Sequence, residues 1–267
     1  MLARRLVLLL GLLVLFSGFA SADYGPAVCN AGNTIYYHGD CPGPLNNLHD
    51  ICIKLDGPLV HTSATASCFS TENSYNLLLD CQNSANIING ISADYNEAQW
   101  VNSFSFNNSH HITLKNCVFD GGKNFFDQFE TKITTQVNYV WVVNVENSHH
   151  IEIKDNTIQN FVLHPRTQPN DVIHQMTAGI RVLNSKQVLV QHNTLQGLKT
   201  GAKLSGIEVL TSSSYYSEDV NVIDNTLRQM FAVTRVWGIY VTTSQSNQYN
   251  HNVDILKNKI YTFRMQG

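Results

Sequence analysis

The sequence predicts an all-β chain, a right-handed parallel β-helix solenoid with a disulfide-bearing N-terminal cap. Three observations carry that expectation. A strand–turn–strand pattern recurs from Phe104 to the C-terminus. Within each copy the apolar residues alternate with period 2, the spacing of a strand that buries one face. The turns fall at the same phase in every copy, each time on Asn or Ser.

The first residues read as a targeting segment. Arg4 and Arg5 give a positive start, Leu6 to Phe16 an apolar stretch, and Ala20, Ser21 and Ala22 a small-residue cleavage site. Export with removal of residues 1–22 is expected, so that the mature chain begins near Asp23. The apolar run is short for a span of about 20 residues, and no later stretch is apolar enough to cross a membrane. The mature chain is therefore expected to be secreted, extracellular or periplasmic, with no transmembrane segment.

Six cysteines follow, Cys29, Cys41, Cys52, Cys68, Cys81 and Cys117. An even number in an exported chain points to disulfides that stitch a loop-rich N-terminal part. Sequence order favours Cys29–Cys41 among the many pairings. No Cys-x-x-Cys pair occurs, and no His sits beside them at ligand spacing, which argues against a structural zinc site. Residues 23–60 lie outside the repeat and are expected to cap the core, because a terminal coil would otherwise expose an open strand edge.

Residues 61–267 are expected to form the solenoid. Its copies begin at Phe104 (FSFNNSHHITLKNCVFDG), Val143 (VNVENSHHIEIKDNTIQNF), Gly179 (GIRVLNSKQVLVQHNTLQGL), Gly206 and Gly238, with a looser copy from Tyr75. Asn116, Asn156, Asn193, Asn225 and Asn258 recur as anchors, spaced 40, 37, 32 and 33 residues apart. Asn tolerates left-handed backbone angles, and stacked Asn side chains can bond to one another in a ladder. In Ile112-Thr-Leu, Ile151-Glu-Ile, Val188-Leu-Val, Val220-Asn-Val and Val253-Asp-Ile the outer two residues face inward. Apolar residues return at Val118, Ile158, Leu195, Leu227 and Ile260. An antiparallel sandwich would not need one turn at one phase in every unit, and a propeller blade would need four strands per unit.

Composition limits the partners. The 267 residues carry a formal charge of -3, and 14% are Asp, Glu, Lys or Arg. With no basic block beyond the first residues, nucleic acid is not an expected partner.

The segments GIRVLNS…VLVQHNTL, GIEVL…DVNVIDNTL and GIYVTTS…NVDILKNKI resemble the right-handed β-helix, or pectate-lyase-like, superfamily. The resemblance runs from about Leu77 to Phe263. It implies a fold shared by polysaccharide lyases, glycoside hydrolases, epimerases, esterases, phage tailspikes, adhesins and non-enzymatic surface proteins, and so does not choose a function. The polygalacturonase branch is marked by NTD, paired Asp, His-Gly and Arg-x-Lys motifs, and none is present. The alginate epimerase branch carries Asp-Pro-His-Asp, for which this chain offers only FDQFE at Phe126 to Glu130. Neither catalytic set carries over.

Chemistry is sought on the outward face. Aligning the strands gives the series Ser105, Asn144, Arg181, Glu208 and Tyr240, and two residues on Asn107, Glu146, Leu183, Leu210 and Thr242. The loop Phe161 to Thr177, with His164, Arg166, Asp171 and His174, is expected to wall a groove beside it. The segments Leu198–Ser205 and Arg228–Trp237 are expected to bring Lys203, Arg235 and Trp237 to the same side. On an acidic polymer, Arg181, Arg235 or Lys203 would neutralise a uronate carboxylate and stabilise an enolate-like intermediate. Tyr240, Lys203 or His174 would serve as the base. A Ca²⁺ held by Glu146 and Glu208 would assist. As a hydrolytic pair these two carboxylates would stand roughly 10 Å apart, wide even for inversion. Trp141, Trp237 and Trp100 are candidate sugar platforms, and Trp141 has outward phase. The contrasting reading makes Arg181, Glu146 and Glu208 a surface ion-pair ladder of little energetic weight.

Three smaller signals remain. His110-His111 and His149-His150 occupy equivalent turns and would stack on adjacent coils, either as solvated turn residues or as transition-metal ligands. Asn107-Asn108-Ser109 is an N-glycosylation sequon, relevant to a eukaryotic source. Gly121-Gly122-Lys123 lacks the rest of a phosphate loop. Together these readings give an exported carbohydrate-active protein, a polysaccharide lyase on a uronic-acid polymer. The alternative is a non-catalytic glycan-binding or structural cell-surface protein. The uncapped C-terminal coil is expected to leave room for self-association.

Overall fold

The computed structural model describes residues 24–26, 28–60, 67–82, 86–88, 99–121, 137–163, 176–200, 203–212, 216–243 and 249–265. Their ordered elements are all β-strands, and every pairing is parallel. The chain is a right-handed parallel β-helix. Each coil contributes one strand to each of three faces: a middle face (His149–Lys154 and its equivalents), a second face (Thr157–Gln159 and its equivalents) and a third face (Val137–Glu146 and its equivalents). One complete coil reads Val137–Glu146, His149–Lys154 and Thr157–Gln159. The next reads Met176–Leu183, Lys186–Gln191 and Thr194–Thr200. The last described coil is Arg235–Thr243, His251–Leu256 and Lys259–Met265.

Period-2 alternation places one apolar column per strand phase in the core. On the middle face Leu77, Ile112, Ile151, Val188 and Val220 are in register and essentially solvent-free. Parallel stacking of this kind buries a continuous core that no single coil could form alone.

The two sharp corners have different chemistry. At the first, Asn73, Asn108, Asn147 and Asn184 adopt positive φ. Each is followed by a buried Ser, and the hydroxyls of Ser109, Ser148 and Ser185 accept from the backbone N–H of the equivalent Ser one coil back, while that of Ser74 accepts from Leu48 N–H. The distances for Ser74 to Ser109, Ser109 to Ser148 and Ser148 to Ser185 are all 3.1 Å. At the second, Asn156, Asn193, Asn225 and Asn258 form a ladder of amide-to-amide bonds, each 3.0 Å.

The ladder differs from the sequence expectation in two respects. Asn116 is not its first member. The ladder position on that coil is Cys117, whose N–H donates to Asn156 Oδ1 at 3.0 Å, while Asn116 donates to Asp80. Consistently, Phe119 rather than Val118 aligns with Ile158 and fills the core. The left-handed residue is not the ladder Asn but its predecessor, namely Asn116, Asp155, His192, Asp224 and Lys257. The ladder Asn is kept for its two-sided amide rather than for its backbone tolerance.

The disulfides are Cys29–Cys52, Cys41–Cys68 and Cys81–Cys117, so Cys29 does not pair with its nearest neighbour Cys41. Stacking decides this, because a disulfide needs Cα atoms about 4.4–6.8 Å apart, and adjacent coils supply that spacing, at 4.8–5.7 Å. The strand His49–Val60 pairs with Tyr75–Asp80 and then with Asn86–Ile88. The stacked coils thus begin inside the segment expected to be a separate cap. Three formed disulfides fit an oxidising compartment. No helix among the described residues is long and apolar enough to cross a membrane.

Candidate functional site

The outward surface of the third face is shaped by a bend at a glycine in three of its strands, Met176–Leu183, Lys203–Thr211 and Arg235–Thr243. At Gly179, Gly206 and Gly238 an added Cβ would run into the side chains of Leu195, Leu227 and Ile260, which point toward the interior. These glycines therefore face inward, and so do the next residues, Ile180, Ile207 and Ile239. Two successive inward residues bring the positions on either side of the bend to the same outward surface. That is why Arg181 Cζ lies 3.9 Å from the centre of the Trp141 ring, and why Trp237 and Tyr240 stack at 4.6 Å.

The register runs Ser105, Asn144, Arg181, Glu208, Tyr240 across adjacent strands, in the order expected from the sequence. A second column holds Asn107, Glu146, Leu183, Leu210 and Thr242, and a third holds Asn102, Trp141, Ala178, Ser205 and Trp237. Lys203 and Arg235 pair at the strand starts, Lys203 half-buried and Arg235 exposed. His164, Arg166, Asp171 and His174, and the side chain of Trp100, lie outside the described residues. The other two expected groove walls are largely strand, since Thr194–Thr200 and Thr226–Ala232 belong to the stacked second face.

The polar centre is interior rather than solvated. Arg181 is 9% exposed, Asn144 4% and Glu208 1%. Arg181 Nη1 donates to Asn144 Oδ1 at 3.1 Å and lies 3.6 Å from Glu146 Oε2. Asn144 in turn donates to Ser105 at 3.3 Å. A buried ion pair differs from the solvated ladder considered above, because its charges have lost most of their hydration. Arg181 Nε and Glu208 Oε1 are both buried without a hydrogen-bond partner. Burial pushes the Glu208 carboxyl up to about 7, against the opposing pull of the Arg181 guanidinium. Burial likewise lowers the Arg181 pKa, opposed by Glu146 and Glu208. A carboxyl that titrates near neutrality can give or take a proton at physiological pH.

Glu146 and Glu208 sit on strands either side of the Arg181 strand, Glu208 in register with Arg181 and Glu146 two positions further along. Burial was hidden from sequence reasoning because alternation marks these residues only as outward. Ser205, with a buried and unpartnered hydroxyl, was not among the expected residues. Its signal was its place in the Trp141–Trp237 column.

No family model matches the chain, and no curated protein matches it. Among solved structures it is similar to the A-module of the Azotobacter vinelandii mannuronan C-5 epimerase AlgE4, at 13% identity and a TM-score of 0.16. That alignment covers 89% of this chain and 90% of the other. At that score the fold assignment rests on this chain's own strand register.

Proposed function

We propose that this is an exported carbohydrate-active β-helix protein whose third face takes a uronic-acid polymer, with β-elimination as its chemistry. The observation that carries the reading is the Glu208–Arg181 pair, a carboxyl titrating near 7 beside a buried guanidinium on an outward sheet face. Arg181 would neutralise the substrate carboxylate and so acidify the adjacent C–H. Glu208, partly ionised near neutral pH, would take that proton. The enolate would then expel the glycosidic oxygen, which takes up a proton, and leave an unsaturated uronate. Lys203 and Arg235 add positive charge at the rim for neighbouring sugar carboxylates, while Trp237 and Tyr240 offer a stacked aromatic surface. Ca²⁺ enters this reading as a charge-neutralising ion at Glu146 and Glu208, which requires it to displace the Arg181 guanidinium now 3.6 Å from Glu146 Oε2.

One observation favours a second reading. Glu208 is closed off from solvent, as expected of a glycan-binding or structural surface protein that performs no turnover. Both readings are tested by incubating mature protein with pectate, alginate, hyaluronan and chondroitin, with Ca²⁺ and then with chelator. Ultraviolet absorbance of the unsaturated product is followed, and reducing-end release is measured in parallel. Product formation lost in Glu208→Gln and Arg181→Ala supports the lyase. A flat trace with retained binding supports the second reading, and loss on chelation alone assigns the ion.

A further inference from the structure

The first corner carries a histidine cluster remote from the Arg181–Glu208 site. His110 and His149 are register partners in one column, and His111 and His150 adjoin them in the next. The rings of His110 and His149 stack at 4.8 Å and 3°, those of His111 and His150 at 4.4 Å and 10°. Within each coil the two side chains converge. His110 Nδ1 lies 2.8 Å from His111 Nδ1, and His149 Nδ1 lies 2.8 Å from His150 Nδ1. The same convergence appears on both coils.

The columns continue with other residues. Below the histidines come Tyr75, stacked on His110 at 5.3 Å, and Asn76. Above come Lys186, engaged with Glu218 at 3.3 Å, and Gln187. Tyr24 lies edge-on to His111 and His150 at 5.5 and 5.6 Å. The cluster is thus an island of four imidazoles in columns whose neighbouring members do not need histidine to fold.

We propose that these two pairs bind divalent copper or nickel, each pair chelating one ion through its two Nδ1 atoms. The spacing already suits such an ion. With metal–nitrogen bonds of about 2.0–2.1 Å, nitrogens 2.8 Å apart subtend roughly 85–90° at the ion. That is the cis angle of tetragonal coordination, preferred by Cu²⁺ and Ni²⁺. Tetrahedral Zn²⁺ would spread the nitrogens to roughly 3.3 Å. Among the described residues no group of three or more His, Cys, Asp or Glu is arranged to hold a metal ion. Each pair therefore supplies two nitrogens, and water completes the coordination.

Burial, followed by the neighbouring imidazoles, lowers the pKa of both His111 and His149, one member of each pair. Without metal, one Nδ1–H donates to the other Nδ1. On binding, that proton moves to Nε2 of the same ring, so no net proton is lost. Two dications about one coil apart repel, so the second ion binds more weakly than the first.

The test titrates mature protein with Cu²⁺, Ni²⁺ and Zn²⁺ by calorimetry near neutral pH, with electron paramagnetic resonance of the copper form. Substitutions that copy neighbouring coils keep the fold. His111→Asn with His150→Asn places Asn in a left-handed column where Asn76 and Asn252 already sit. Circular dichroism and the melting temperature check that it does. The expected result is nitrogen-coordinated tetragonal copper, with affinity falling roughly tenfold or more in the double variant. His192→Asn, which removes an exposed histidine elsewhere, leaves binding intact. Wild-type affinity in the folded double variant, loss of binding in His192→Asn, or no copper binding by the wild type would each overturn the proposal. None of these outcomes bears on the polysaccharide reading, which concerns another face.

Discussion

A carboxyl group shut away from water with one oxygen unpartnered is costly to keep ionised, and Glu208 is in that position. Its folded pKa of about 7 lies above the ordinary value of 4.5. The folded state therefore holds the proton more tightly than the unfolded state does. The resulting stability is fully present below about pH 4.5 and is lost as the pH rises through about 7. The full span is worth about 3 kcal/mol. Glu208→Gln cannot ionise, so its urea midpoint should vary less across that window than the wild type's. Equal pH dependence of the two proteins would place the proton elsewhere. The sequence made the neighbours of Glu208 legible, since period-2 alternation and repeat alignment gave the series Ser105, Asn144, Arg181, Glu208, Tyr240. It did not make their burial legible. Arg181 is packed against the Trp141 ring of the neighbouring strand, and alternation does not show which outward side chains fold over one another.

Three strands of the third face, Met176–Leu183, Lys203–Thr211 and Arg235–Thr243, depend on a residue without a side chain at the bend. A Cβ on Gly206 would stand 2.6 Å from the Gly238 carbonyl oxygen and 2.3 Å from Leu227 Cδ2. Leucine can change rotamer, but the carbonyl belongs to the ladder and cannot move alone. Gly206→Ala should cost about 2 kcal/mol, and a melting temperature equal to wild type would show that the bend relaxes. The second corner depends on the Asn ladder. Asn193 Oδ1 accepts from both the backbone and the side chain of Asn156, while its Nδ2 donates to Ile153 and Asn225. Asn193→Ala would leave buried groups on two neighbouring coils unpaired, at about 2–3 kcal/mol. Chemical denaturation measures that loss directly, and a loss below about 1 kcal/mol would mean that water replaces the amide. The recurrence of Asn showed the ladder in the sequence, but its first rung was misplaced by one residue. Asn116-Cys117 offers an Asn just before the true position. Only the strand register, with Phe119 opposite Ile158, separates the two.

Across the whole molecule the coils form a line, and stability should vary along it. The N-terminal coils carry all three disulfides. At the corner where Asn156 begins the ladder, the Cys81–Cys117 disulfide continues it backwards, with Cys117 donating to Asn156 Oδ1. A covalent ladder thus gives way to a hydrogen-bonded one partway along the solenoid. Among the described residues, the strands Arg235–Thr243, His251–Leu256 and Lys259–Met265 pair on one side only. Ile255 and Ile260 have the inward phase, yet they are 45% and 47% exposed, while their register partners Val222 and Leu227 are fully buried. Each coil is stabilised mainly by its neighbours, so a coil with one neighbour should open more often than a coil with two. Amide hydrogen exchange should therefore be fastest in His251–Leu256 and Lys259–Met265, and slowest in central strands such as His149–Lys154 and Lys186–Gln191. Reducing the disulfides should raise exchange in His49–Val60 and Tyr75–Asp80 while leaving the central strands slow. A uniform rise along the chain would mean that the solenoid unfolds as one cooperative unit, with the disulfides setting the stability of every coil.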